Sequence, residues 1–284
     1  MNNYGLIFCD AGATNQAMAH LRAQGIKNIN GFFLGPAATI YKEYFPYAQI
    51  MSGIEEVIKS SDFLITGTSW STDIEHKARI SAAKTNVVSI AIIDHWVNYT
   101  SRFEFNGVTQ MPDQIWVHDS MAYDRAKISF NNTPIKLKNP DYKNLILQNV
   151  SKVPERPNSF LYLCEPMRRS MNDGTTLEEH QLFTFLQKLS VNKTYVDPEV
   201  FIRLHPSEHV NKYDGIIREY SDLDINIDCR NLSGSLSRSA MVVGCSSYAL
   251  YLAYCANRKV ISSKVGQLDN HVFNLEDIFF IEEL

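Results

Sequence analysis

Two stretches of this chain end an apolar run in groups that could hold a phosphate. Phe201-Ile202-Arg203-Leu204 runs into His205-Pro206-Ser207-Glu208, and Met241-Val242-Val243 runs into Gly244-Cys245-Ser246-Ser247. An apolar run that stops at small or polar residues is how a buried parallel strand brings chemistry to its carboxyl end. The proline after His205 holds that residue in extended geometry. Ser246 and Ser247 precede an apolar helical run starting at Tyr248, and backbone N–H groups at a helix start attract anions. A cap needs one hydroxyl, yet two follow Gly244. An imidazole beside such a start suits the phosphate of a nucleotide-activated donor.

The first half of the chain also ends its strand-like runs in polar groups. These ends are Asp10-Ala11-Gly12, Gly35-Pro36, Thr66-Gly67-Thr68-Ser69-Trp70, Asp94-His95-Trp96 and His118-Asp119. Asp10 is the leading candidate base, because it ends the first strand and Gly12 lets a substrate or another backbone approach closely. Asp94 and Asp73 compete with it, and Asp73 reads better as a helix cap. His95 and Trp96 could wall an acceptor, although Trp96 alone reads as packing. In the second half Glu165, Arg168 and Arg169 follow the run 159–164. Arg203 precedes His205 and, by strand alternation, is expected on the same face. An ion pair with a neighbouring helix is the plainer reading of Arg203, and His209 and Lys212 read as helix decoration.

These residues need elements to carry them. Strand signals cover 4–10, 31–34, 62–66, 87–93 and 114–117, with helices over 15–24, 52–60, 73–85 and 121–127. Residues 131–158 are polar and punctuated by Pro134, Pro140, Pro154 and Pro157, which marks a linker, with a short helix around 142–150. Strands at 159–164, 200–204, 224–228, 241–243 and 259–262 then alternate with helices such as 177–189 and 210–220. Two successive α/β patterns predict two Rossmann-like doubly wound domains facing a cleft. The expected division is an acceptor-side domain over 1–135, a linker over 136–158 and a nucleotide-donor domain over 159–284.

Composition narrows the function classes. With 284 residues and 45% hydrophobic content, two cored domains fit comfortably. A net charge of −4 argues against nucleic acid as a partner. No apolar run approaches the roughly 20 residues of a membrane helix, and the first residues lack a signal-peptide pattern. Five scattered cysteines point to a reducing cytoplasm with no disulfide framework. No dinucleotide fingerprint, P-loop or nucleophile elbow is present, and no His–carboxylate cluster has metal-ligand spacing.

On Asp10-Ala11-Gly12, His205-Pro206 and Ser246-Ser247, in that order, the chain resembles the GT-B-fold glycosyltransferases of bacterial surface polysaccharides. Its motifs are nearest to the sialyltransferase and Kdo-transferase groups, which use CMP-activated ulosonic acids. Ala11 departs from their more common acidic-acidic-Gly form. The resemblance implies that Asp10 is the general base, that His205 engages the CMP phosphate and that the serine pair binds it, with Pro206 and Gly244 shaping that site. Arg168, Arg203, Gly12, Thr68, Asp94 and His95 become candidates for the donor carboxylate or the acceptor. Expected partners are a nucleotide-sugar donor and an oligosaccharide or lipid-linked acceptor; the latter would be met at the inner membrane face by peripheral association. A metal or separate cofactor is not expected, because a helix start and an imidazole can neutralise the phosphate. Residues 235–249 also resemble part of the CDP-glycerol glycerophosphate polymerases, which keeps that reaction as an alternative. A nucleotide-sugar epimerase or hydrolase and a non-catalytic binding subunit are the others.

Overall fold

The computed structural model describes residues 2–138, 141–166, 175–264 and 278–284. The chain divides into two compact units, Met1–Leu145 and Ile146–Leu284. The first contains β1 (Tyr4–Phe8), α1 (Ala11–Ala23), β2 (Ile29–Phe33), α2 (Pro36–Tyr44), β3 (Gln49–Ile50), α3 (Ile54–Lys59), β4 (Phe63–Thr66), α4 (Ile74–Ala82) and β5 (Val88–Ile93). A small antiparallel hairpin, β6 (Glu104–Phe105) and β7 (Val108–Thr109), precedes β8 (Gln114–Val117), α5 (Ser120–Ser129) and β9 (Ile135–Leu137). Seven strands form one parallel sheet in the order β3-β2-β1-β4-β5-β8-β9.

Leu6, Ile7 and Phe8 are all fully buried, as expected for a strand covered on both faces. Leu6, Phe8, Ile65 and Ile90 pack with Ala13, Ala17 and Met18 of α1 and Tyr41 of α2. Ile7 and Leu64 point the other way, onto Val57 of α3 and Ala78 and Ala82 of α4. The period-2 alternation of the strands creates the two faces. Burying each large side chain is worth roughly 1.5–3 kcal/mol, which holds each face of the sheet against its helices.

The second unit repeats this plan. After α6 (Asp141–Gln148), within which the division between the units falls, come β10 (Arg156–Leu163), α7 (Leu177–Val191), β11 (Glu199–Arg203), α8 (Asp214–Glu219), β12 (Asp224–Ile227), α9 (Leu232–Arg238), β13 (Ser239–Gly244), α10 (Tyr248–Cys255), β14 (Lys259–Ser262) and β15 (Phe279–Phe280). The parallel order is β12-β11-β10-β13-β14-β15. Phe160, Tyr162, Val200, Ile202 and Val243 pack on Leu182, Phe185, Leu186 and Leu189 of α7. That helix starts with a reciprocal capping box between Thr176 and Glu179, which satisfies two orphan N–H groups.

Both units are therefore Rossmann-like doubly wound α/β units. In each, strand order reverses beside the first strand, between β1 and β4 and between β10 and β13. Ligands of such sheets bind beyond the strand carboxyl ends at these switch points.

Several elements differ from the sequence expectation. α2 was not expected, because Pro36 reads as a stop; it instead occupies a first-turn position of the helix, where a missing N–H costs nothing. The segment expected as a linker contains most of β9 and the start of β10, beside the short helix expected there, α6. The helix expected over 210–220 is confined to Asp214–Glu219. Among the described residues, no helix is long and apolar enough to cross a membrane.

Candidate functional site

In the first unit the switch point is built around Asp10. Asp10 caps α1 and accepts from the Ala13 N–H at 3.4 Å. Asp94, just past β5, reaches the same helical turn: a Cβ on Gly12 would lie 2.0 Å from Asp94 Oδ2. Gly12 is thus the residue that admits the second carboxylate. Arg102 donates to Asp94 Oδ1 at 3.3 Å, to Thr68 Oγ1 at 2.9 Å and, through Nε, to the Val97 carbonyl at 3.0 Å. Asp10, Gly12, Thr68 and Asp94 are therefore connected through the α1 start and Arg102. Burial, then the negative charges of Asp94 and Glu75, hold the Asp10 carboxyl well above the ordinary range, against the pull of Arg102. A carboxyl so placed accepts a proton readily.

Glu75 also belongs to this site. Its carboxylate accepts from the Cys9 N–H at 3.1 Å and the Ser69 N–H at 2.7 Å. It thereby bridges the ends of β1 and β4, directly behind Asp10. Gly67 leaves room, since a Cβ there would sit 2.7 Å from Glu75 Oε1. Arg79, one turn along α4, is buried and donates to Thr66 Oγ1 at 3.1 Å and the Gly67 carbonyl at 3.0 Å. Acidic residues in a first helical turn normally face solvent, so sequence alone offered only the weak signal of Glu75 and Arg79 at i,i+4 spacing. Cys9 is pushed up to about 11 by burial and by Glu75, which keeps its thiol protonated.

Other candidates in this unit have structural partners. Trp96 is buried and donates from Nε1 to Asp119 Oδ2 at 2.8 Å. It therefore packs within the unit and does not wall an acceptor. His95 lies edge-on to the Trp96 ring, with centroids 5.4 Å apart. Asp73 makes no side-chain cap and instead pairs with Lys77 at 2.8 Å.

In the second unit Glu165 plays the corresponding bridging part. It follows β10 and faces the start of α10. Its Oε1 accepts from three successive N–H groups, those of Cys245 at 3.0 Å, Ser246 at 2.7 Å and Ser247 at 2.8 Å. The Ser246 hydroxyl approaches Oε2 at 3.4 Å, and Ser247 Oγ caps the helix by accepting from Leu250 N–H at 3.3 Å. The serine pair thus sits in an oxyanion-binding nest already filled by the protein's own carboxylate. Gly244 brings the turn in close, with a hypothetical Cβ 3.3 Å from Leu163 Cβ and 3.4 Å from Leu250 Cδ1. Burial raises the Glu165 carboxyl, and the three N–H donors oppose that rise.

His205 lies just beyond β11 in a turn closed by Glu208 N–H donating to the His205 carbonyl at 2.9 Å. Pro206 holds the second turn position, which suits its fixed φ. His205 Nδ1 accepts from the Ser207 N–H at 3.2 Å, so in the neutral ring Nε2 carries the proton. Burial lowers the His205 pKa, against the attraction of Glu208. Glu208 also accepts from the His205 main-chain N–H at 2.9 Å and from Tyr213 OH at 3.0 Å. Lys212, expected only to decorate a helix, joins Glu208 to Glu178. Cys164, Glu178 and Glu208 bring ligand atoms within 4.8 Å of one another, but the Lys212 ammonium already bridges the two carboxylates.

Arg203 is committed elsewhere. It donates to Asp228 Oδ2 at 3.0 Å and Ser235 Oγ at 3.1 Å, and Asp228 also binds Arg238. This network ties the end of β11 to Asp228, just past β12, and to α9, so Arg203 is held in an ion pair, as its plainer reading expected. Strand alternation ends at Arg203, whereas His205 lies in the following turn. Arg168 and Arg169 lie outside the described residues.

No family model matches the chain, and no curated protein matches it by sequence. Among solved structures, it is similar to UDP-N-acetylglucosamine 2-epimerase from Rickettsia bellii, with TM-score 0.56 and 11% identity over 93% of this chain and 80% of that one. The E. coli heptosyltransferase WaaC, solved with ADP-2-deoxy-2-fluoro heptose, aligns at TM-score 0.44 and 9% identity over 97% of this chain and 92% of that one. The likeness to the epimerase is one of fold, and with the two doubly wound units it gives the chain a GT-B-type α/β fold.

Proposed function

We propose that this protein is an inverting glycosyltransferase. In this reading it moves an ulosonic acid of the sialic acid or Kdo type from a CMP-activated donor to a glycan acceptor, in the synthesis of a bacterial surface polysaccharide. The observation that carries the reading is the convergence of the Cys245, Ser246 and Ser247 N–H groups on one anionic oxygen. Glu165 and a donor phosphate cannot share those three donors, so donor binding displaces Glu165. His205 supplies an Nε2–H donor to the same phosphate, and Asp10 supplies the base.

In the reaction the acceptor hydroxyl passes its proton to the Asp10 carboxylate as its oxygen bonds to the anomeric carbon. The bond from that carbon to the phosphate oxygen breaks, and the electron pair leaves with CMP. His205 and the α10 amides stabilise the departing phosphate. A single displacement of this kind inverts the anomeric centre. General acid–base help of this type is worth roughly 10²–10⁴-fold.

The test is thermal shift with CMP, CDP, UMP and UDP on wild type, His205→Ala and Glu165→Ala, each against its own ligand-free melt. A CMP-selective rise that shrinks in His205→Ala and grows in Glu165→Ala supports the proposal. Selectivity for CDP would favour glycerophosphate transfer. The fold likeness to an epimerase acting on a UDP-sugar supports a second reading, nucleotide-sugar epimerisation, which selectivity for UDP would favour. No shift with any nucleotide in wild type or Glu165→Ala would sink both readings.

A further inference from the structure

We infer that Trp70 is a stacking platform for a pyranose ring of the acceptor, a role that rests on the sugar-transfer reading and extends it to one acceptor subsite. Trp70 follows β4 and is 60% exposed, and among the described residues its indole makes no ring contact or hydrogen bond. Leaving so large an apolar face in water forgoes about 25 cal/mol for each Å² left unburied. An unpartnered aromatic could merely reflect a loose loop, but this loop is stitched down on both sides of the indole. Ser69 N–H donates to Glu75 at 2.7 Å, and the Ser69 and Ser71 hydroxyls pair at 2.9 Å. Thr72 Oγ1 donates to Cys9 Sγ at 3.3 Å, and Ser71 Oγ lies 3.7 Å from the same sulfur.

The same contacts place the indole. The Glu75 carboxylate holds both the Cys9 and Ser69 N–H groups, so the residue before Asp10 and the residue before Trp70 share one carboxylate. An exposed aromatic on an anchored loop is thereby presented at the switch-point rim that carries Asp10 and Asp94. Pyranose rings offer C–H groups on a face and hydroxyls at the edge. An aromatic surface beside carboxylates matches both, as ligand sites pair apolar walls with a few polar groups. Pre-anchoring the loop also lowers the ordering cost of binding.

The test uses the emission of the indole itself. The chain has three tryptophans, and Trp96 and Trp116 are buried, so Trp70 accounts for the emission that iodide can quench. Methyl glucoside, methyl galactoside, methyl mannoside and lactose are titrated, with glycerol as the control polyol. The expected result is protection by at least one pyranoside and none by glycerol, with the quenchable signal missing in Trp70→Phe. In turnover assays Trp70→Ala should raise the acceptor KM roughly tenfold, equivalent to about 1.4 kcal/mol. Trp70→Phe should restore most of that loss, and the melting temperature of both variants should match wild type. Absence of protection by every pyranoside overturns the inference. So does protection seen only with phosphatidylglycerol vesicles, which would assign the indole to a membrane, or only at raised protein concentration, which would assign it to a second copy. A CMP shift without sugar protection removes the platform alone; sugar protection without any nucleotide shift removes the transferase reading and leaves a carbohydrate site.

Discussion

Asp10 and Asp94 illustrate how two identical side chains take different parts. Asp94 is paired with Arg102, whereas Asp10 is buried against two negative neighbours and its carboxyl is raised. Removing the Asp94 charge should therefore lower the Asp10 pKa, and freeing Arg102 acts in the same direction. In Asp94→Asn the acid limb of kcat/KM against pH is expected to move to lower pH, while Asp10→Asn loses roughly 10²–10⁴-fold in rate at all pH. An unmoved acid limb in Asp94→Asn would show that Asp10 is not the titrating base.

At the scale of elements, the start of α1 matters most. Ala is a better helix former than Gly by roughly 1 kcal/mol, and the atom in the way of a Cβ at Gly12 is the end of the Asp94 side chain. Gly12→Ala should melt close to wild type, because helix propensity offsets the displacement of that carboxylate. Its acid limb should nevertheless shift as in Asp94→Asn, because Asp94 is pushed off the α1 start and away from Arg102. Melting curves and a pH–rate profile on the one variant check both halves. A fall in melting temperature with an unchanged profile would mean that the turn itself gives way and Asp94 stays. α10 shows the complementary case, where a helix start is kept satisfied by Glu165 until an outside anion replaces it.

Across the whole molecule, buried carboxyls and buried imidazoles respond to pH with opposite signs. Glu178 is raised from the ordinary 4.5 to about 7, first by burial. A carboxyl raised on folding favours its protonated form, so its contribution is full below 4.5 and is lost as pH climbs through about 7. His76 and His118 of the first unit are lowered below 6.5 by burial. Their contribution is present above 6.5 and is lost as pH falls through their folded values. Glu178→Gln should therefore flatten the alkaline-side loss of melting temperature while leaving the acid-side loss in place. Melting temperature against pH for the two proteins tests this, and parallel curves would exclude Glu178 as the source.

Much of the fold was legible because parallel strands buried on both faces write apolar runs that end at chemistry. Asp10, His205 and Ser246-Ser247 all stand at such ends, and the alternation of strand and helix implied two doubly wound units. Local signals failed where one residue has two meanings: Pro36 starts α2 yet reads as a stop, and the Pro-punctuated segment after 131 hides β9. The identity of each partner in the site was beyond the sequence. Glu75 joins Cys9 to Ser69, Glu165 joins β10 to the start of α10, and Arg203 turns to Asp228. Which charge meets which amide depends on strand order, and strand order is a property of the sheet. The sequence by itself determined which groups stand at the strand ends, because burial and chain direction are local; only the tertiary structure decided which carboxylates bridge those ends, because that requires strands distant in sequence to lie side by side.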